Sequence, residues 1–271
     1  MKIKTTMKNT VFTLALLISV VTFSQDFKLY EKAVFTFEND TLNYRILKPL
    51  NYNPNKRYPV HLFLHGSGER GNDNSSQLTH GGKLFLKKEN REKYNSWVIF
   101  PQCPINDRWP SLTTDSWDNN NDYFPNNNEI NQPNKTLELV IKFMDQFIEK
   151  KQVNKQRIYI SGLSMGGMGT FEMLHRRPDM FAAATPICGN GNAELSKLYA
   201  TKVHLWIFHG SDDKTVKPEY SFKMAKAIIS SGGSPRLTLY ENVGHDSWNN
   251  AFAEKNFLKW IHSKTKKNSG F

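Results

Sequence analysis

The sequence is poor in cysteine, with two residues in 271. Two thiols cannot staple a chain of this length, so a hydrophobic core has to hold the fold. Long apolar runs are missing except near the N-terminus, and mean hydropathy is −0.58. That excludes a chain threaded repeatedly through a bilayer. No nucleic-acid motif is present. What is plentiful excludes wholesale disorder: 38% of residues are hydrophobic and 13% aromatic, enough apolar surface to pack. At roughly 100–200 residues per domain, the length suits one large domain or two small ones.

The N-terminus has the pattern of an export signal. Lys2, Lys4 and Lys8 precede an apolar run from Val11 to Val21, and Thr22 and Ser24 are small enough to flank a cleavage site before Gln25. The expectation is a signal peptide over 1–24, a single domain over 25–271, and an exported protein, periplasmic or secreted. No cysteine stands directly after the apolar run, so no lipid attachment point is expected, nor any membrane association after cleavage. Cleavage would leave 33 basic and 25 acidic residues, a net of +8. The basic residues are scattered, with a small cluster at Lys264, Lys266 and Lys267, and read as a solvated surface rather than a nucleic-acid footprint.

Eight short segments read as strands. Ala33–Phe37 and Leu42–Leu47, joined by Asn39-Asp40, read as an antiparallel pair. Val60–Leu64, Trp97–Phe100, Arg157–Ile160, Ala182–Ile187, Val203–Phe208 and Leu237–Tyr240 are apolar runs separated by longer connections. Helical spacing marks Leu137–Ile148, with Asn134 as its cap. It also marks Gly166–His175, Glu219–Ser230 and a closing helix from Trp248 to Ile261. Buried strands alternating with helices predict an α/β fold. Its central sheet is mostly parallel, with helices on both faces and an antiparallel N-terminal strand pair. Functional residues then belong at the carboxyl ends of the strands, where His65-Gly66, Ser161-Gly162, His209-Gly210 and Gly244-His245 stand. The stretch Asp118–Asn134, with eight asparagines and two prolines, is too polar to pack and reads as a surface excursion near the site. Its Asp118–Asp122 pair lacks the glycine and closing glutamate of a calcium loop, so no metal site is expected.

Gly162-Leu163-Ser164-Met165-Gly166 fits G-x-S-x-G. It follows a strand and opens a helix, the setting in which a serine is held on a sharp turn and projects from the sheet. The bland reading is a glycine-rich turn with Ser164 as a helix cap. A serine nucleophile needs a base, and the base an orienting carboxylate, in the chain order serine, acid, histidine. His245 follows a strand and Gly244, a glycine expected to let the loop turn sharply. His262 sits beside the lysine tail and reads as a solvated cap. Asp212 and Asp213 both qualify as the acid; Asp213, three residues before Val216, is favoured. The backbone N–H of Met165 is one expected oxyanion donor. The other is Ser67, with Gly68 second, from the loop His65–Gly71. His65 is expected to be buried and to shape that loop. Glu69 and Arg70 either contact substrate or pair with each other. Trp109, Trp117, Tyr123 and Trp248 are candidate stacking surfaces for substrate, with core packing as the alternative for each.

These segments together resemble the α/β-hydrolases of the esterase and prolyl-oligopeptidase-like type. More narrowly, they resemble exported bacterial carboxylesterases, also described as predicted peptidases. The matching residues are His65–Gly71, Pro101–Pro104, Arg157–Gly167, His209–Asp213 and Gly244–Trp248. The resemblance implies a serine-dependent carboxylesterase without a cofactor, acting on small-molecule or polysaccharide esters. Related enzymes remove acetyl or feruloyl groups from plant polysaccharides. Some relatives carry an extra immunoglobulin-like N-terminal domain, for which residues 26–59 are too few. A serine peptidase and a non-catalytic carbohydrate-binding relic are the alternatives. By the family's strand order, two strands separate those preceding Cys103 and Cys188. Their ends lie on the order of 14 Å apart, so free thiols are expected.

Overall fold

The computed structural model describes residues 27–111 and 133–267. Eight strands form one sheet: β1 (Tyr30–Phe37), β2 (Asp40–Leu47), β3 (Tyr58–Leu64), β4 (Trp97–Pro101), β5 (Val153–Leu163), β6 (Ala183–Ile187), β7 (His204–Gly210) and β8 (Arg236–Tyr240). The helices are α1 (Gly82–Leu86), α2 (Lys88–Lys93), α3 (Lys135–Phe147), α4 (Met165–Arg176), α5 (Glu219–Ser230), α6 (Trp248–Ala253) and α7 (Phe257–His262). The strand order is β1-β2-β4-β3-β5-β6-β7-β8. β1 pairs antiparallel with β2, and β2 antiparallel with β4; every later pairing is parallel. This is the expected sheet, and all eight anticipated strands are in it.

The alternation of side chains along each strand divides the core. Leu62, Leu64, Ile158 and Ile160 face one way and pack with Leu137, Val140 and Met144 of α3, Phe171 of α4 and Met224 of α5. Phe63, Tyr159, Phe100 and Phe208 face the other way and pack with Phe85 of α1 and Phe257 and Ile261 of α7. Both faces are therefore covered, as a parallel sheet requires.

Three local expectations are corrected. Asn134 stands at the N-cap of α3, but its side chain makes no cap bond. Its amide donates instead to the Pro110 carbonyl at 2.6 Å, and the Asp107 carboxylate accepts the Thr136 N–H at 3.0 Å. The closing helix is two short helices. Glu254 leaves helical geometry at ψ 118°, and its carboxylate accepts the Tyr240 hydroxyl at 3.1 Å. His262 is buried rather than solvated, packed against Tyr94 and Tyr159, and burial pushes its pKa well down.

Cys103 and Cys188 are both free and buried. β3 and β5 lie between the strands that precede them. The signal-like segment, Trp117, Tyr123 and the Asp118–Asp122 pair lie outside the described residues.

Candidate active site

The turn between β5 and α4 places Ser164. Its backbone has φ 53° and ψ −120°, a region that a residue with a Cβ occupies only when its surroundings enforce it. The enforcement is close packing. A Cβ on Gly162 would sit 2.1 Å from the Gly166 carbonyl oxygen, and one on Gly166 would sit 2.0 Å from that of Leu64. Only glycine lets α4 approach the sheet this closely. The Ser164 N–H is tied to the Ile187 carbonyl at 2.9 Å. Met165, the first residue of α4, has an N–H with no acceptor one turn earlier in the helix.

Three residues that are distant in sequence meet here. His245 Nε2 lies 2.9 Å from Ser164 Oγ, and His245 Nδ1 lies 2.8 Å from Asp213 Oδ2. The carboxylate can only accept, so Nδ1 carries the proton and Nε2 is free to accept from the serine hydroxyl. Asp213 is buried. Its Oδ1 accepts the N–H groups of Thr215 and Val216, each at 2.9 Å, and Val216 is buried as expected. Burial alone would raise the Asp213 pKa. The bonds from His209, His245 and Val216 outweigh it and hold the carboxyl well below the usual range. Asp212 is exposed and accepts the Ser211 hydroxyl at 2.7 Å, so it stays outside the group.

The sequence reading missed His209. It is fully buried at the end of β7. Its Nε2 is 2.8 Å from the Val216 carbonyl and 3.2 Å from Asp213 Oδ2. Both partners are acceptors, so Nε2 bears the proton and Nδ1 accepts from the Ser221 hydroxyl at 2.7 Å. Asp213 Oδ2 therefore faces two imidazoles, one on each side. The signal was available in the sequence, because a histidine that ends a buried strand four residues before the acid lies within reach of it.

The turn does not require glycine at 244 as expected: its φ is not positive, and a Cβ there meets nothing within 4 Å. The crowded glycine is Gly210, where a Cβ would sit 2.2 Å from the Val243 carbonyl oxygen.

The loop after β3 is firmly braced. His65 is fully buried. The Cys103 N–H donates to its Nε2 at 3.0 Å, so its Nδ1 carries the proton and donates to the Gly66 carbonyl at 2.6 Å. Burial lowers the His65 pKa to about 4, which keeps the ring neutral. Gln102 joins the loop to β4 by accepting the Asn74 N–H at 2.7 Å and donating to Asp73 at 2.6 Å. Ser67 opens a short 3-10 turn, Ser67–Glu69. Arg70 donates to the Ser67 carbonyl at 3.0 Å and to that of Asp107 at 3.3 Å, so its guanidinium fixes the loop. Glu69 is buried and lies 3.5 Å from His80, so of the two alternatives for Glu69 and Arg70, pairing with each other is not the one found.

Trp109 is not a substrate surface. It is fully buried, its indole N–H donates to the His65 carbonyl at 2.9 Å, and its ring packs edge-on against His65. Trp248 is half-buried, with its ring centroid 5.5 Å from that of His245.

Cys188, Asp213 and His245 each place one metal-ligand type of atom within 4.8 Å of the others. Burial pushes the Cys188 thiol up to about 12, so it stays protonated. The other two groups are already bonded to each other. The cluster suits hydrogen bonding better than metal ligation.

A serine, an imidazole and a carboxylate held in sequence at the carboxyl ends of a mostly parallel sheet define the α/β-hydrolase class. Residues 53–262 match the phospholipase/carboxylesterase family, and the chain belongs to that family. A search of curated proteins finds no match. A thermostable esterase is 31% identical over 89% of this chain, with TM-score 0.78; the chain spans 64% of that protein's length. A ferulic acid esterase from Anaeromyces mucronatus is 15% identical, covering 87% of this chain and 90% of its own, with TM-score 0.61. A dipeptidyl peptidase 4 from Porphyromonas gingivalis is also 15% identical, covering 87% of this chain and 35% of its own, with TM-score 0.61. The last two share the fold.

Proposed function

We propose that the protein is an exported serine carboxylesterase that works through an acyl-enzyme on Ser164, with esters of carbohydrates as its substrates. The observation that carries this reading is the run of hydrogen bonds from Ser164 Oγ through His245 to Asp213, at 2.9 and 2.8 Å. His245 Nε2 takes the hydroxyl proton as Ser164 Oγ attacks the ester carbonyl. Nδ1–H stays bonded to Asp213, whose charge stabilises the imidazolium. The tetrahedral oxyanion is held by the N–H groups of Met165 and Ser67. His245 then gives its proton to the leaving alcohol oxygen, the acyl group stays on Ser164, and a water activated by His245 releases it. Membership of a carboxylesterase family supports ester substrates, and the export-like N-terminus suits a polymer too large to enter a cell.

The test compares wild type with Ser164→Ala on p-nitrophenyl acetate, methyl ferulate, acetylated xylan and peptide p-nitroanilides. Ester hydrolysis should fall by about 10⁴-fold or more in the variant, with anilides cleaved poorly by both. Anilides cleaved faster than esters would make the protein a peptidase. Ester hydrolysis that survives the substitution would remove Ser164 from the mechanism.

A further inference from the structure

Beside His245 stands a wall of three side chains that the triad does not use. Glu69 Oε1 lies 3.5 Å from His80 Nε2. The His80 ring centroid is 5.1 Å from that of Trp248, and Trp248 in turn packs edge-on against His245. Two polar atoms of this wall, Glu69 Oε2 and Trp248 Nε1, are buried with no hydrogen-bond partner among the described residues. This buried acceptor and buried donor, on the two side chains that flank His80, are left unpaired at a cost in stability. His80 keeps a third of its side chain exposed at the edge of this wall.

The chemistry decides which part of an ester the wall faces. His245 has to pass its proton to the leaving oxygen, so the alcohol departs on the imidazole's side of Ser164. Trp248 borders that imidazole and His80 packs on Trp248, so this end of the wall flanks the alcohol, while Glu69 holds its other end in the turn that Ser67 opens. We propose that His80, held by Glu69 and seated against Trp248, is the specificity-determining contact for the leaving alcohol, and that this alcohol bears further hydroxyl groups, as a sugar does. The inference rests on the esterase reading and deepens it. A carboxylate beside Nε2 favours the proton there and leaves Nδ1 to accept from a substrate hydroxyl. The indole supplies an apolar face for the C–H side of a sugar ring.

The experiment holds the acyl group constant and changes the alcohol. kcat/KM is measured on an acetylated xylo-oligosaccharide and on ethyl acetate, for wild type, His80→Phe and Glu69→Gln. Phenylalanine keeps a ring against Trp248 and removes the hydrogen bond. The ratio of the two values should fall about tenfold in His80→Phe, as for the loss of one hydrogen bond. It should fall less, in the same direction, in Glu69→Gln, mainly through KM on the sugar ester. Equal losses on both substrates, or an unchanged ratio, would overturn the inference. A wild type that hydrolyses ethyl acetate but gains nothing from the sugar would overturn it and leave the esterase reading standing. Hydrolysis of neither ester would overturn both.

Discussion

Asp213→Asn should lower kcat by roughly 10⁴-fold on any ester the protein hydrolyses, while Asp212→Asn stays within about twofold of wild type. The difference follows from how the carboxylate is held. One oxygen of Asp213 accepts two backbone N–H groups, from Thr215 and Val216. An asparagine would place its carbonyl oxygen there, because its NH₂ cannot face two donors. The NH₂ would then point at His245 Nδ1, where Oδ2 now lies. Against a donor, Nδ1 has to accept, and the imidazole proton moves to Nε2. An Nε2 that already bears a proton cannot take one from Ser164. The same NH₂ would oppose the Nε2–H of His209, so the variant has no comfortable arrangement on either side. Asp212 is exposed, and its carboxylate accepts the neighbouring Ser211 hydroxyl. Steady-state kinetics on the two purified variants checks the ranking. A larger loss in Asp212→Asn would reverse the assignment of the acid.

The second large effect concerns the fold around Ser164. Gly166→Ala should destabilise the protein by more than about 4 kcal/mol or prevent its folding. The added Cβ would lie 2.0 Å from the Leu64 carbonyl oxygen and 2.7 Å from that of His65. Both are backbone atoms of β3 and the loop after it, and neither can swing aside as a flexible side chain can. Relief requires moving α4 off the sheet, which would carry Ser164 away from His245. Gly244→Ala is the control, since its Cβ meets nothing within 4 Å. Its stability should change by no more than about 1 kcal/mol. Urea unfolding of the two variants decides the matter. A Gly166→Ala protein as stable as wild type would mean that the close approach of α4 to β3 is not required.

The residues legible in the sequence are those whose role is written locally. Ser164 announces itself because it stands between glycines at 162 and 166 where a strand gives way to a helix, and the clash that forces Gly162 is with Gly166, four positions on. Asp213 and His245 follow from their places at strand ends and from the serine–acid–histidine order. What stayed illegible depends on which distant segments meet. Trp109 is an aromatic residue in a loop, and nothing nearby in sequence says that the loop folds under His65. Arg70 follows a glutamate and reads as half of a pair, yet its guanidinium turns back to the Ser67 carbonyl. His262 stands beside lysines but is covered by Tyr94 and Tyr159, from segments far from it in sequence. The break between α6 and α7 was hidden because apolar spacing continues across Glu254, and only the hydroxyl of Tyr240 on β8 shows why the chain turns there.

The most direct test of the mechanism is rapid mixing with p-nitrophenyl acetate, followed by acid quenching and peptide mapping. A burst of p-nitrophenol equivalent to about one per active chain is expected, with the acetyl group on Ser164. Product formation without a burst, together with quenched protein that carries no acyl group on Ser164 at any time point, would contradict it.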